Sequence, residues 1–319
     1  MCIRDRGFGL TSEAYLNANT SSQEYSLSSL IYPTAKGFFI NTAIVSLNDT
    51  GTYIYLAIRR PNKPPTTGTQ VYNAIARTGT GAAATVTGVG FAPDLVATQD
   101  RGGTVVGLFF DRLRGVKSYL VPRSAGAEAS DTDSLLKYSM DGISVGPDAS
   151  GPGGINTSAL SYINWFFKRA PGVFDEVCYT GTGVAKTEAH GLGVAPELMI
   201  VKERSAANDW WVYNATDGNT KYTVLNTTAT PVTASTAWNN TTPTSLVFSV
   251  GTAANVNASA QTYVAYLFAT CPGVSKVGSY TGNGSSQTIN CGFTTGARFF
   301  LVKATSTTGS WWIFDSVRG

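Results

Sequence analysis

Charge is scarce in this chain, and sulfur and histidine are scarcer: Asp, Glu, Lys and Arg make up 13% of 319 residues, with four Cys, three Met and one His. The net charge of +3 comes from scattered Lys and Arg. Without a basic run or a basic-aromatic patch, the electrostatic footprint of nucleic-acid binding is missing. No apolar run reaches the roughly 18 to 20 residues that span a bilayer, the longest candidates around YVAYLFATCPGV being broken by Thr, Pro and Gly, so no membrane insertion is expected. The opening MCIRDRGFGL lacks the apolar core of a signal peptide. Beyond residue 6 the cysteines are Cys178, Cys271 and Cys291, an odd number without CxxC spacing, which argues against a disulfide framework and a zinc site. They read as small buried hydrophobes. No helical stripe of apolar residues stands out.

What the chain has instead is 34 Gly and an abundance of Thr, Ser and Asn, the composition of strands and turns. It also repeats itself. TGTG begins at Thr78 and Thr180 and returns as TGNG at Thr281, offsets of 102 and 101. A second shared segment follows each: GFAPDLVATQDR from Gly90, GVAPELMIVKER from Gly193 and GARFFLVKATS from Gly296. Trp210 and Trp211 answer to Trp311 and Trp312, and the terminal IFDSVRG answers to FFDRLRG, Phe109 to Gly115, two periods earlier. Each copy closes alike, with TYIYLAIRRP ending at Pro61, SYINWFFKRAP at Pro171 and TYVAYLFATCP at Pro272. These runs are apolar on both faces and read as central strands stopped where proline removes a ladder donor.

The borders divide the chain into a truncated C-terminal part of a module at 7–65, complete modules at 66–170 and 171–271, and a truncated N-terminal part at 272–319. Residues 1–6 resemble a translated sequencing adapter and are set apart, and the mid-module stop at Gly319 reads as the end of a record rather than of a protein. Within a copy, strand candidates recur about every ten residues between Gly, Asn, Thr and Pro clusters. The expected fold is therefore all-β: tandem β-sandwich modules of about 100 residues, of jelly-roll or laminin-G-like rather than immunoglobulin topology. The shared order of motifs places Trp211 at the position of Phe109 or Phe110.

The set YTGTG, HGLGVAPELMIVKERS, WWVY, FDRLRG, EASDTDSL, MDGISVG and TYVAYLF resembles the repeated module of bacteriophage tail-fibre and virion proteins from environmental sequencing, itself a domain of unknown function. The resemblance covers residues 30 to 319 and brings no catalytic residues with it. It implies a non-enzymatic virion protein, a spacer or adhesin, whose partners are other virion proteins or copies of itself, with a host-surface glycan as the candidate ligand. Phage fibres are commonly symmetric trimers, so a trimer is implied as well, but with no heptad run to drive it this chain alone is expected to be monomeric or weakly associating. The alternative is a secreted or cell-surface bacterial protein that binds or hydrolyses carbohydrate.

Chemistry-bearing residues are few. His190, in TEAHGLGVAPE, would need a positioned Ser and an acid to act as a base, and reads as a turn residue. Asp175 with Glu176, or Glu197 with Glu203, are the carboxylate pairs a glycosidase would need. Asp131, Asp133 and Asp141 form the densest acidic cluster and are the candidate calcium ligands, without the central Gly and closing Glu of an EF-hand. No other cofactor is expected. For a glycan, Trp238 with Asn239 and Asn240 in TAWNNTTP is the candidate: an aromatic face for a sugar ring beside amides for its hydroxyls. Trp210, Trp211, Trp311 and Trp312 read as core or cross-strand residues.

Overall fold

The computed structural model describes residues 51–53, 55, 63–103, 107–147 and 154–318, together with four short strands nearer the N-terminus. Residues 1–6, and most of the partial module expected at 7–65, lie outside the described residues. Of the four short strands, β1 (Glu13–Tyr15) pairs with β2 (Tyr25–Leu27), and β3 (Ile31–Pro33) with β4 (Phe38–Ile40). The first copy holds β5 (Tyr72–Thr78), β6 (Ala84–Val86), β7 (Leu95–Asp100), β8 (Leu108–Asp111), β9 (Ser118–Tyr119), β10 (Ala129–Ser130), β11 (Leu135–Ser139), β12 (Gly142–Val145) and β13 (Ser161–Phe167). The second holds β14 (Phe174–Thr180), β15 (Lys186–Ala189), β16 (Leu198–Glu203), β17 (Trp211–Asn214), β18 (Lys221–Val224), β19 (Val232–Thr233), β20 (Val247–Val250) and β21 (Thr262–Phe268), with one-turn helices α1 (Ser235–Trp238) and α2 (Ala254–Asn257). The last copy contributes β22 (Phe299–Lys303) and β23 (Trp311–Asp315).

The fold is all-β and of sandwich type. In the first copy an antiparallel sheet of order β5-β13-β7-β8 faces a second of order β11-β12-β6. Val96, Leu108, Phe110 and Phe166 from the first sheet meet Val86, Leu135, Ile143 and Val145 from the second in one core. The second copy repeats this plan. Its larger sheet runs β14-β21-β16-β17-β18-β19, and β15-β20 closes over the core built on Met199, Trp211, Tyr213 and Leu267. As their two-faced sequences predict, β13 and β21 are central, flanked on both sides, with five of seven residues buried in each. β22 and β23 pair as β7 and β8 do, Phe299 opposite Asp315 as Leu95 is opposite Asp111.

One alignment is corrected by register. Asp111 pairs with Leu95 and Asn214 with Leu198, which puts Trp211 in the place of Leu108 rather than of Phe109 or Phe110.

The TGTG motif is structural. Asn156 is fully buried and ties that turn down, donating from Nδ2 to the Ala82 and Gly146 carbonyls at 2.7 Å and accepting from the Thr80 amide at 3.1 Å. Asn257 does the same in the second copy, with the Val184 and Gly251 carbonyls at 2.7 and 2.6 Å and the Thr182 amide at 2.8 Å. The turns pass so close that a Cβ on Gly79 would collide with the Thr157 carbonyl, and one on Gly181 with that of Ala258. Glycine is required there by contact.

Candidate functional site at the seams between copies

The expected glycan residues do not form a platform. Trp238 ends α1 facing inward, fully buried, its Nε1 donating to the Lys221 carbonyl at 2.8 Å and its ring edge-on to Tyr213. Asn239 and Asn240 follow in the left-handed region (φ 53° and 46°), turning the chain so that the indole points into the core while both amides stay exposed. This corrects the sequence reading of Trp238 as a sugar-stacking residue: a polar neighbourhood in sequence hid a core position.

Nor do the candidate calcium ligands converge. Asp131 closes a local turn, accepting from the Asp133 amide at 3.0 Å and the Ser134 hydroxyl at 2.7 Å, and these bonds outweigh burial in holding its carboxyl below the usual range. Asp141 instead accepts from the Gly88 and Gly90 amides at 2.9 and 2.6 Å. Among the described residues no three His, Cys, Asp or Glu side chains stand together as a metal cluster.

His190 is a turn residue, buried, bonded through Nε2 to the Thr244 carbonyl at 3.1 Å and accepting from the Leu192 amide at Nδ1. Asp175 binds Arg169 and the Gly191 amide, both at 2.6 Å. Glu203 accepts from Asn208, and Glu197 from the Thr270 amide at 2.6 Å. Two clefts, of about 250 Å³ beside Lys63, Gln70 and Lys168 and about 380 Å³ beside Thr270, Lys276 and Asn290, are lined by none of His190, Asp175, Glu197 and Glu203.

The densest polar chemistry lies where copies meet. At the end of β8, Asp111 receives the Arg114 amide at 2.8 Å and the Arg114 guanidinium, and also the Tyr266 hydroxyl of the second copy at 2.7 Å. Arg114 in turn reaches Glu128 at 3.1 Å, and Glu128 takes a two-pronged bond from Arg204 of the second copy at 2.8 and 2.9 Å. Both Asp111 and Arg114 have side chains without solvent exposure. Burial opposes the Arg114 charge, but Asp111, Tyr266 and Glu128 together outweigh it and hold the guanidinium well above its ordinary value.

The last copy repeats this clasp at the distance of two periods. Asp315 receives the Arg318 amide at 3.0 Å and the Arg318 guanidinium, and takes the Trp165 indole N–H of the first copy at 3.0 Å. Trp165 and Tyr266 occupy equivalent places in β13 and β21, so the first copy grips the second as the last grips the first. A second relation runs the other way round. Trp210 donates to the Val121 carbonyl of the first copy at 3.2 Å, and Trp311 to the Val224 carbonyl of the second at 2.9 Å. Contacts one-to-two, two-to-three and three-to-one are thus all made, and the copies pack cyclically.

Aromatic rings fill the middle. Phe167 lies 5.9 Å from Phe174, 6.0 Å from Phe268 and 5.6 Å from Phe299, bringing all three copies together. Glu176 faces this seam, fully buried, with neither carboxylate oxygen hydrogen-bonded. Burial, then the nearby Asp111 and Asp94, push its carboxyl well above the usual range. Burial, then Asp111, likewise drive the Cys178 thiol up to about 12, which leaves it unreactive.

Residues 67–319, a stretch that includes all three gripping copies, match the family described as Domain of unknown function (DUF7483). The chain belongs to this family. No curated protein and no solved structure matches it. The family description names no activity, ligand or partner. Among the described residues no helix is long and apolar enough to cross a membrane.

Sequence reasoning found FFDRLRG and IFDSVRG as a repeat but missed their role. The signal was there: an acid at the end of an aromatic strand with Arg three residues on, returning unchanged after two periods.

Proposed function

We infer that the chain is a non-enzymatic structural protein of a bacteriophage virion, of the tail-fibre type, working among other virion proteins or copies of itself. The observation that carries this reading is the cyclic packing of three copies, closed by the Asp111–Tyr266 and Asp315–Trp165 contacts. The resemblance implies a trimer of chains for a fibre, and within one chain three copies are packed in a ring. The side chains a hydrolase would use are committed elsewhere: His190 to a turn, Asp175 to Arg169, Glu203 to Asn208. An enzyme keeps such groups poised in an accessible pocket. The carbohydrate-binding alternative loses its best residue with Trp238 buried.

The test is location. Antibodies raised against residues 67–318 are expected to label tails or fibres by immunogold electron microscopy of a purified virus fraction. Label confined to bacterial envelopes, with binding of the protein to a glycan array, would overturn the reading in favour of a cell-surface lectin.

A further inference from the structure

In and beside the seam between the first two copies, Asp94, Asp111, Glu128 and Asp175 meet Arg112, Arg114, Arg169 and Arg204, and these charges pair off completely. Asp111 holds Arg114, Glu128 takes both Arg114 and Arg204, Asp94 lies 3.4 Å from Arg112, and Asp175 binds Arg169 at 2.6 Å. Glu176 is a further carboxylate that this balance leaves out. It is fully buried, and neither of its oxygens has a hydrogen-bond partner among the described residues.

Register sets this carboxyl beside the clasp. Glu176 is directly opposite Tyr266 in the β14–β21 ladder, so both side chains leave the sheet on one face, where Tyr266 donates to Asp111 and packs its ring 6.0 Å from Phe109 of the first copy. From the first copy, Asp111, Asp94, Arg169 and the Tyr138 hydroxyl, itself buried without a partner, act on Glu176, and Arg112 lies over the Tyr138 ring. From its own copy Asp175, Cys178 and Tyr266 do so. Burial opposes the Glu176 charge first, then Asp111 and Asp94, and Arg169, the cation that favours it, is already bound to Asp175.

The seam between the first copy and the last is built without such an acid. In the β5–β13 ladder the residue opposite Trp165 is Ala74, the counterpart of Glu176, and it packs with Ala97 and Trp165 beside the bond to Asp315. Alanine fills that place, so the fold does not require a carboxyl there.

We propose that Glu176 makes the joint between the first two copies proton-operated: closed while the carboxyl carries its proton, and loosened when the proton leaves, with each copy still folded and the Trp165–Asp315 joint unaffected. Ionisation puts an unbalanced negative charge beside Asp111 in a space shut off from water, where an unpaired charge is costly and like charges repel. Access to solvent relieves both, and the seam is the boundary along which the carboxyl reaches it. The sign follows from linkage. In the loosened joint the carboxyl returns to its ordinary value of 4.5, so the closed joint is favoured below that value and weakens as pH rises above it, by up to about tenfold per pH unit.

Trp210 donates its indole N–H across this seam to the Val121 and Ser124 carbonyls, and Trp165 donates across the other to Asp315. Indole N–H exchange, followed by NMR on the full chain carrying ¹⁵N-tryptophan and divided by the rate of free indole at each pH, therefore reads the two joints separately. Trp210 is expected to lose protection at least about tenfold between about pH 5 and pH 9, while Trp165 changes less than about twofold. In Glu176→Gln, Trp210 should keep its protection to within about twofold over the same range. Constant protection of Trp210 in the parent chain, an equal loss in Glu176→Gln, or a matching loss at Trp165 would each overturn the proposal. Should Glu176→Gln fail to fold, Glu176→Ala, which copies the first copy's residue at this place, carries the same expectation and the same refutation. A further measurement needs no substitution: the infrared band of a buried protonated carboxyl should vanish over the pH interval in which Trp210 loses protection, and its absence at the acid end would overturn the proposal too.

Discussion

Replacing Asp111 by alanine perturbs the seam between the first two copies at one atom group, and its cost can be worked from the contacts. The carboxylate is buried against Arg114, whose guanidinium is also fully buried, and it accepts the Tyr266 hydroxyl at 2.7 Å. Removing one partner of a buried ion pair costs about 3–5 kcal/mol, because the other charge is left without compensation. Glu128, 3.1 Å from Arg114, remains and offsets part of this. The abandoned Tyr266 hydroxyl adds about 1 kcal/mol. The net expectation for Asp111→Ala is a loss of about 3–4 kcal/mol, read from urea or guanidinium unfolding with m unchanged. The control is internal: Asn214→Ala, at the same position of the second copy, breaks only the local bonds to Asp217 and should cost less than about 1 kcal/mol. Equal small losses for both variants would refute the clasp as the element that holds these copies together.

Asn257→Ala leaves the buried Gly251 carbonyl and the Thr182 amide without that partner, while the Val184 carbonyl keeps the Thr182 hydroxyl, so a loss of about 2–4 kcal/mol is expected in the same assay. Lys202 is fully buried, and desolvation, only partly offset by Glu203, lowers its pKa from 10.5 to about 8. A lowered folded-state value means that stability rises with pH between about 8 and 10.5; Lys202→Met should abolish that rise and gain about 1–2 kcal/mol at pH 7, measured by thermal unfolding across the pH series. Glu176 titrates with the opposite sign. Its raised folded-state value favours the chain at acid pH and costs stability as pH climbs above the ordinary carboxyl value, so Glu176→Gln should match the parent near pH 4 and be the more stable of the two at pH 8.

Much of the fold was legible because it is local. SYINWFF and TYVAYLF are apolar on both faces, and each became a flanked central strand. TGTG recurs in the first two copies because each needs the same glycine beside the same buried asparagine. The packing of the copies was not legible, since its bonds join residues as distant as Asp111 and Tyr266 and use different donors, a phenol in one seam and an indole in another. Trp238 misled for a related reason: TAWNNTTP is polar around it, and only two consecutive left-handed asparagines turn the indole inward. The register slip at Trp211 came from counting motifs across a loop whose length differs by one residue between copies.

The central claim is that the three copies form one cyclic unit rather than independent beads. Pulsed hydrogen exchange with mass spectrometry across a denaturant series tests it most directly, following Ser161–Phe167, Thr262–Phe268 and Trp311–Asp315 as reporters of the first, second and last copies. Cyclic packing predicts that all three lose protection at one common denaturant midpoint, and that Asp111→Ala shifts the three together. If Thr262–Phe268 stays protected where the other two have fully exchanged, or if Asp111→Ala moves only the first copy, the copies fold separately and the account is contradicted.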